Sequence, residues 1–367
     1  MWVADMDFET SSAVVKALQK RLDHHIYGYS TVPDLYYDAV AGWWEKRHQY
    51  VIQKDWIMFC TGVVPAISSI VRKMTKNGDK VLVLAPVYNI FYNSIKNNQR
   101  EVLASELAYD GHDYSIDFED VEKKLADPET TLMIFCNPHN PIGKVWDRQV
   151  LEQLGKLCVK HQVLILSDEI HCDLTHQGYR YIPFASVSDE IAYNSITCVA
   201  PTKAFNLAGI QTSSIIVPNP EIRKLVYRGI HTDEVGEPNV FAVEAAITAF
   251  TEGEPWLQAL LDYLMKNKQV LEHYLADQLP QLQVIHSEAT YLAWVDCQAV
   301  THHTRELCEF IRAKTGLYVS EGGMFGGNGQ GFIRINYACP TERLIDGLQR
   351  LKTGVEEFQN MKNGSGA

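Results

Sequence analysis

Short apolar runs recur through the middle of the chain, and each is bounded by Pro, Asn, Asp or Ser. They cover residues 81–84, 132–136, 163–166, 196–199 and 214–217. Because both faces of each run are apolar, the pattern is typical of strands buried between two layers of helices. Residues 150–158 carry apolar side chains at helical spacing, so the chain here predicts strand–helix–strand units and a mainly parallel sheet.

The interval between Val199 and Ser214 is too short for a helical crossover, which predicts at least one antiparallel strand in a mixed sheet. After Pro238 the pattern changes. It predicts a helix over 240–251, a long connecting helix over 256–279, strands at 291–295 and 332–336 around a helix at 304–314, and a final helix over 341–357 with Thr341 as its cap. The expected fold is α/β. Its large domain (34–255) has a mixed, mostly parallel sheet between helices, a smaller α+β domain comprises 1–33 and 256–360, and 361–367 form a disordered tail.

Composition narrows the class of protein. The 367 residues suffice for two domains, and 33 Lys and Arg against 45 Asp and Glu give a net charge of −12. Such a charge argues against binding to nucleic acid or to an anionic membrane. The eight cysteines are scattered singly with no CxxC pair, which favours a reduced, cytoplasmic protein. Neither a signal peptide nor a membrane span is predicted.

A lysine follows one predicted strand in the run APTKAFNLAG, residues 200–209. Lys203 has apolar neighbours there, and burial lowers the pKa of a lysine, as a Schiff-base lysine requires. The alternative is a loop lysine that extends to water. The position directly after a buried strand favours the chemical role.

Two other strand ends carry polar side chains. Asp168, in LSDEIH (166–171), lies at the carboxyl edge where open α/β sheets bind their ligands, and it is a candidate partner for a buried cation. The alternative is that Asp168 and Glu169 cap the next segment. Asn140 lies in the turn-forming run CNPHNPIG (136–143), where its amide could donate to a ligand oxygen.

Three further patterns concern ligands. Gly62 and Val63 open an amphipathic helix, and the free amides of a helix start suit a phosphate. Arg334 interrupts the strand 332–336 and could bind a carboxylate, the alternative being an edge-strand arginine that faces solvent. The glycine-rich run 322–331 leads into a strand, so it predicts a flexible loop rather than a nucleotide site. No spacing typical of a metal site, such as HExxH, is found in the sequence.

Together these segments resemble one family, the PLP-dependent enzymes of the class I/II aminotransferase fold, and within it the branch of cystathionine β-lyases and cysteine carbon–sulfur lyases. The resemblance covers nearly the whole chain. Its motifs are WVADMDF (2–8), YGYS (27–30), APVY (85–88), NPHNPIGKVW (137–146), SDEIHCDL (167–174), APTKAFNLAG (200–209) and GFIRINYACP (331–340). It implies PLP fold type I and a β-elimination that releases a thiol or hydrogen sulfide, pyruvate and ammonia from cystathionine or cysteine.

The resemblance also implies roles for the residues that match its motifs. Lys203 forms the covalent link to pyridoxal 5'-phosphate (PLP) and then removes the Cα proton of the substrate. Asp168 pairs with the protonated ring nitrogen, so that the ring can accept electrons. Tyr88 stacks on the ring, Asn140 donates to its phenolic oxygen, and Arg334 binds the substrate carboxylate.

The remaining implied contacts surround the cofactor. His171 lies near the same ring edge as the phenolic oxygen. The phosphate rests on the amides of Gly62 and Val63 and on the Thr202 hydroxyl. Tyr29 reaches the phosphate from a second subunit, so a homodimer with shared sites is expected.

Two departures from the family pattern affect the interpretation. Gln211 stands where many aminotransferases carry a phosphate-binding arginine, which favours the lyase branch. Relatives also carry a segment before WVADMDF, and contacts from such a segment lie outside these expectations. An aminotransferase of the same fold and a PLP-binding regulator with vestigial activity remain alternatives. The aromatic residues between Tyr36 and Trp44 are expected to supply apolar surface for the dimer.

Overall fold

The computed structural model describes residues 1–364. Its α-helices are α1 (Ser12–Asp23), α2 (Asp34–Trp43), α3 (Val63–Met74), α4 (Ile90–Asn97), α5 (Phe118–Leu125), α6 (Arg148–Lys160), α7 (Asp189–Tyr193), α8 (Pro220–Thr232), α9 (Ala242–Glu252), α10 (Glu254–Gln278), α11 (Thr304–Thr315) and α12 (Thr341–Gly364). Its strands are β1 (Ile57–Cys60), β2 (Lys80–Ala85), β3 (Glu101–Glu106), β4 (Ala108–Tyr109), β5 (Tyr114–Ser115), β6 (Thr130–Cys136), β7 (Leu164–Asp168), β8 (Ser195–Val199), β9 (Ser213–Ile216), β10 (Gln283–Val284), β11 (Leu292–Asp296), β12 (Ser320–Glu321) and β13 (Phe332–Asn336).

Seven strands form the main sheet in the order β1-β9-β8-β7-β6-β2-β3. Strands β3, β2, β6, β7 and β8 are parallel neighbours, whereas β9 pairs antiparallel with both β8 and β1. The predicted mixed, mainly parallel sheet is therefore confirmed, including the reversed strand after Val199. Since only β9 is reversed, β1 ends at the same edge of the sheet as the parallel strands.

The alternation of side chains along each strand explains why the runs are apolar on both faces. Val81 and Ile134 pack in one buried cluster with helices α3, α4 and α8. Leu82 and Met133 belong to a second cluster with α5 and α6 on the opposite face. Successive residues of a strand point to opposite sides, so a sheet covered on both sides needs apolar residues at nearly every position.

A second, antiparallel sheet has the order β10-β11-β13-β12. It follows the long helix α10, as the sequence predicts, and α11 and α12 accompany it. Trp294 and Phe332 stack with ring centroids 5.1 Å apart and join the cluster beneath the main sheet. This packing brings β13 close to the carboxyl edge of the main sheet. The domain limits expected at residues 33/34 and 255/256 stay a prediction.

Three expectations at the periphery are wrong. Thr341 does not cap α12 but is its first residue, and its hydroxyl donates to Asn267 Oδ1 at 2.8 Å. The tail expected to be disordered from residue 361 is helical as far as Gly364, and residues 365–367 lie outside the described part. The aromatic side chains expected to supply apolar surface for a dimer do not do so, because Tyr36, Trp43 and Trp44 are buried within the chain. Among residues 1–364, no helix is both long and apolar enough to span a membrane.

Candidate active site

A cavity of about 250 Å³ opens at the carboxyl edge of the main sheet. The segments that follow β1, β2, β6, β7 and β8 all contribute to its wall. Eight of the residues singled out in the sequence line it: Gly62, Val63, Tyr88, Asn140, Asp168, His171, Thr202 and Lys203. The wall also includes residues that sequence reasoning missed, among them Ala4, Val64, Ile170 and Thr212. Parallel strands therefore assemble one site from segments far apart in the sequence.

Lys203 lies in the turn that follows β8, and its side chain points into the protein rather than to solvent. Its Nζ atom donates a hydrogen bond of 2.5 Å to the carbonyl oxygen of Ala4. Burial lowers the pKa of the Lys203 amine, and the nearby Arg334 cation lowers it further. The alternative of a loop lysine extended to water is thereby excluded, and the amine has the reduced basicity that nucleophilic lysines need.

Asp168 is the last residue of β7, and it is buried. Burial raises its pKa from 3.8 to about 7, against the opposing effects of the Ile170 N–H, which donates to Oδ1 at 3.2 Å, and of the Lys203 cation. A buried carboxylate with so few donors has room for a cationic ligand group. Asp168 thus bonds an amide of the next segment, as the capping alternative expects, and its remaining acceptor capacity is open to a ligand at the cavity.

Glu169, in contrast, faces away from the cavity and is saturated by hydrogen bonds. It accepts from the hydroxyls of Ser167 and Tyr181 and, at 2.9 Å, from the Phe184 N–H. Burial nevertheless raises the pKa of Glu169 to about 7. This carboxyl supports the chain behind the site and, unlike Asp168, does not bond an amide of the next segment.

Arg334 lies beside the cavity on β13, an interior strand, and only 5% of it is exposed. The alternative of an edge arginine facing solvent is therefore wrong. Its Nη1 donates to Asn140 Oδ1 at 3.1 Å and its Nη2 to the Trp2 carbonyl at 2.9 Å, while the ring centroid of Phe325 lies 4.8 Å from its Cζ. No carboxylate within residues 1–364 pairs with it. Burial lowers the pKa of Arg334 to about 10, so the guanidinium remains charged at neutral pH and suits an anionic ligand.

The Arg334 contact also fixes the orientation of the Asn140 amide. Because Asn140 Oδ1 accepts from Arg334, the Nδ2 atom is left as the donor at the cavity wall. Burial lowers the pKa of His171 to about 3, so this imidazole is neutral, and its buried Nδ1 has no hydrogen-bond partner within residues 1–364. Tyr88 is half-buried and packs edge-on against Phe91, with centroids 5.9 Å apart.

The start of α3 forms the other end of the cavity. Gly62 precedes the helix and Val63 is its first residue, so the first-turn amides have no partners within the helix. Thr202 and Thr212 line the same cavity, and the buried Thr212 hydroxyl has no hydrogen-bond partner among the described residues. Gln211 also reaches this wall. Amides, hydroxyls and a helix N-terminus are the donors that a phosphate group requires.

The residues present fit PLP. Buried polar atoms without a partner surround the cavity at His171 Nδ1, Thr212 Oγ1 and Arg334 Nε, and each could bond a polar ligand. An amine of lowered pKa and a carboxylate of raised pKa line one cavity, with phosphate donors at one end. Tyr29, in contrast, is fully exposed and does not line this cavity.

Comparisons with known proteins agree with this geometry. The family model described as "Aminotransferase class I and II" matches residues 3–351. Cystathionine beta-lyase PatB of Bacillus subtilis (strain 168) is 42% identical over 355 residues, covering 97% of this chain and 92% of the relative.

Solved structures of similar proteins carry the same architecture. Cystalysin from Treponema denticola, which contains a pyridoxal 5'-phosphate cofactor, gives a TM-score of 0.94 at 35% identity, covering 97% of this chain and 91% of that chain. The PLP-bound C-S lyase from Staphylococcus hominis complexed with L-cycloserine gives a TM-score of 0.91 at 36% identity, covering 97% of this chain and 88% of that chain.

Proposed function

Because the chain belongs to the class I and II aminotransferase family, with PLP fold type I, we propose that it is a PLP-dependent carbon–sulfur lyase. It catalyses β-elimination on sulfur amino acids. Cysteine and water yield hydrogen sulfide, pyruvate and ammonia, and cystathionine and water yield homocysteine, pyruvate and ammonia. One observation carries the proposal: a half-buried lysine, a buried aspartate and phosphate donors line a single cavity in a chain 42% identical to a cystathionine beta-lyase.

Lys203 and Asp168 hold the reactive ends of the cofactor. Lys203 carries PLP covalently, and Asp168 pairs with the ring nitrogen, which gives its buried carboxylate a cationic partner. Bound PLP supplies an electron sink for the bonding pair released when the substrate Cα loses its proton. Tyr88 packs on the ring face, and Asn140 Nδ2 donates to the phenolic oxygen beside the neutral His171.

Lys203 also moves the proton. With substrate bound, the free Nζ of Lys203 would take the proton from the substrate Cα. A lowered pKa places more of the amine in the neutral form that can act as a base near neutral pH. Arg334 binds the substrate carboxylate in a forked pair and thereby turns Cα toward Lys203.

The phosphate lies at the start of α3. The amides of Gly62 and Val63 and the Thr202 hydroxyl donate to it, and the helix dipole favours its negative charge. Many aminotransferases carry an arginine at the position of Gln211, so this end of the cavity has one positive charge fewer than theirs. This difference favours the lyase branch. Holding PLP here therefore depends on neutral donors.

A homodimer with shared sites completes the proposal. Ile26, Tyr27, Tyr29 and Leu35 all expose at least half of their surface, from 50% for Tyr27 to 111% for Tyr29. Exposed apolar side chains concentrated in one short segment indicate an interaction surface. Tyr29 of each chain reaches the phosphate of the other. All eight cysteines are free, which agrees with a reducing cytoplasm.

Complementation tests the shared sites. Lys203→Ala and Tyr29→Ala chains are each deficient, but a mixed dimer has one site with both residues intact. Random reassociation of equal amounts should then restore about a quarter of wild-type activity, since half of the dimers are mixed and each has one complete site of two. A mixture no more active than its components would contradict the shared site.

The reaction is tested by product analysis with no keto acid present. The lyase releases pyruvate and thiol in equal amounts from cysteine or cystathionine. An aminotransferase would release neither, because transamination leaves the Cβ–S bond intact and stops after one half-reaction without a keto acid. A regulator with vestigial activity would bind PLP with negligible turnover. Lys203→Ala should abolish release, whereas Lys160→Ala, at an exposed ion pair on α6, should leave it unchanged.

A further inference from the structure

Residues 2–8, here called the strap, cross the site without forming a helix or a strand. Side chains of other segments take up the hydrogen-bonding capacity of its backbone. The carbonyl oxygens that accept from such side chains belong to Trp2, Val3, Ala4, Asp5, Met6 and Phe8. The Asp7 N–H also donates to the Ala338 carbonyl at 2.9 Å. A segment held mainly by side chains can loosen without unfolding of the sheet behind it.

Two of these carbonyls bond the cations of the site. Ala4 accepts from Lys203 Nζ at 2.5 Å and from the Tyr291 hydroxyl at 3.0 Å. Trp2 accepts from Arg334 Nη2 at 2.9 Å. An acceptor at a fixed position directs one N–H of the lysine and so directs the lone pair of its neutral amine. The strap thus contacts both the base and the carboxylate-binding group.

Asn206 fastens one end of the strap. Its Oδ1 accepts from the Met6 N–H at 3.1 Å, and its Nδ2 donates to the carbonyls of Met6 and Phe8, both at 2.9 Å. Asn206 follows Lys203 by three residues in the same turn and has a left-handed backbone with φ of 54°. The loop that bears the lysine therefore also holds the segment that positions the lysine.

Asn336 fastens the other end from the arginine strand. Its Nδ2 donates to the carbonyls of Val3 at 2.6 Å and Asp5 at 2.7 Å, on either side of Ala4. Asn336 and Arg334 are two residues apart on β13, so their side chains leave the same face of the sheet. The β-strand that bears the arginine thus also holds the strap.

We propose that Asn206 and Asn336 are positioning residues that act through the strap. Asn336 holds Val3 and Asp5, and thereby the neighbouring carbonyls that bond Lys203 and Arg334, whereas Asn206 ties the far end of the strap to the turn that bears Lys203. This inference rests on the proposed lyase function. Neither asparagine lines the cavity, and neither belongs to the residues assigned above to cofactor or substrate. Asn336 holds the carbonyls that bond both Lys203 and Arg334, whereas Asn206 acts on the lysine side alone, so the two should change the kinetic constants differently.

Two neutral substitutions remove the amide donors. Asn206→Gly retains the left-handed backbone, because glycine adopts this conformation readily. Asn336→Ser retains an oxygen that can accept from the Ala338 N–H, as Asn336 Oδ1 does at 2.8 Å. Asn206→Gly should lower kcat about 10-fold with KM changed less than about twofold. Asn336→Ser should raise KM about 10-fold and also lower kcat several-fold, because the Ala4 carbonyl that bonds Lys203 lies between the two contacts that are lost.

A second readout does not depend on turnover. Hydrogen–deuterium exchange of the holoenzyme should accelerate at least roughly 10-fold within the strap in both variants, while amides of β6 and β7 keep their protection. Propionate serves as an unreactive carboxylate, and calorimetry should show about 10-fold weaker binding to Asn336→Ser but unchanged binding to Asn206→Gly. Asp7→Asn is the control, because it breaks only the exposed strap ion pair with Arg343.

These measurements distinguish residues that position Lys203 and Arg334 from residues that only hold the strap in place. Equal changes of kcat and KM in both variants, or an unchanged strap exchange rate, would overturn the inference. If amides of β6 lose their protection, the substitutions have disturbed the fold. The same measurements are then made on the isosteric Asn206→Asp and Asn336→Asp variants, which place oxygens against the same carbonyls. If the protein proves not to be a lyase, strap exchange and propionate binding still decide this inference, because neither requires elimination.

Discussion

The Asp168→Asn substitution tests two properties of this carboxylate separately. One is the free-energy cost of ionising it in the protein interior, and the other is its contribution to catalysis through the cofactor ring. Burial raises the Asp168 pKa from 3.8 to about 7. At about 1.4 kcal/mol per pKa unit, ionising the buried group costs about 4 kcal/mol more than ionising it in the unfolded chain. The folded-state pKa of this acid is raised, so the penalty is absent below pH 3.8 and complete above pH 7.

The assay is urea unfolding of the cofactor-free protein and its Asp168→Asn variant at pH 4 and pH 8. The wild type should lose about 4 kcal/mol of unfolding free energy relative to the variant between these two pH values. The amide has an unpaired-donor cost of about 1–3 kcal/mol, but this cost does not change with pH and cancels from the comparison. A stability difference that stays constant from pH 4 to pH 8 would show that Asp168 does not ionise at a cost in the folded protein.

Glu169→Gln is the matched control, since Glu169 is also buried with a pKa of about 7 but faces away from the cavity. It should follow the same trend with pH, at about 3 kcal/mol, and keep most of the elimination activity. Asp168→Asn should instead lower kcat roughly 100-fold or more, because the cofactor ring loses its anionic partner. Equal kinetic losses in both variants would contradict the role given to Asp168.

Three other substitutions test separate parts of the site. Arg334→Gln should raise KM for cysteine by roughly 10- to 100-fold in pyruvate-release kinetics, since charge-assisted bonds to the carboxylate are lost, and an unchanged KM would remove Arg334 from substrate binding. Gln211→Arg should slow the dissociation of PLP several-fold, measured by absorbance after dilution, and the gain should shrink in high salt. Gly143→Ala should lower the free energy of unfolding in urea by about 1–3 kcal/mol, because φ of Gly143 is +68° and the new Cβ would lie 2.6 Å from Ser287 Cβ. An unchanged unfolding midpoint would show that the backbone and Ser287 accommodate the methyl group.

The sequence predicted the interior strands because they are covered on both faces, and it missed the strands without that pattern. In β3 at the sheet edge, Glu101 and Glu106 are exposed, so the run is not uniformly apolar. No strand was predicted for the four residues of β1, which end directly before Thr61. Two-residue strands such as β10 and β12 exist only through their partners, and no local pattern specifies them.

The site divides in the same way. Lys203, Asp168 and Arg334 could be recognised because a charged residue beside buried strands needs an explanation. The strap contacts could not, because carbonyl acceptors carry no sequence signal and Asn206 and Asn336 meet partners about 200 and 330 residues away. Thr212 offered one weak signal, a hydroxyl next to Gln211 at the start of β9. Which lone hydroxyls become buried without partners depends on the tertiary fold.

The proposed lyase function depends on a covalent bond between Lys203 and the cofactor at the carboxyl edge of the sheet. Borohydride reduction of the purified protein makes this lysine–cofactor bond permanent, and peptide mass spectrometry then locates it. We expect the reduced pyridoxyl phosphate on the peptide that contains Lys203 and on no other. Its presence on a different lysine, or full modification of a Lys203→Ala protein, would exclude Lys203 as the residue that holds the cofactor.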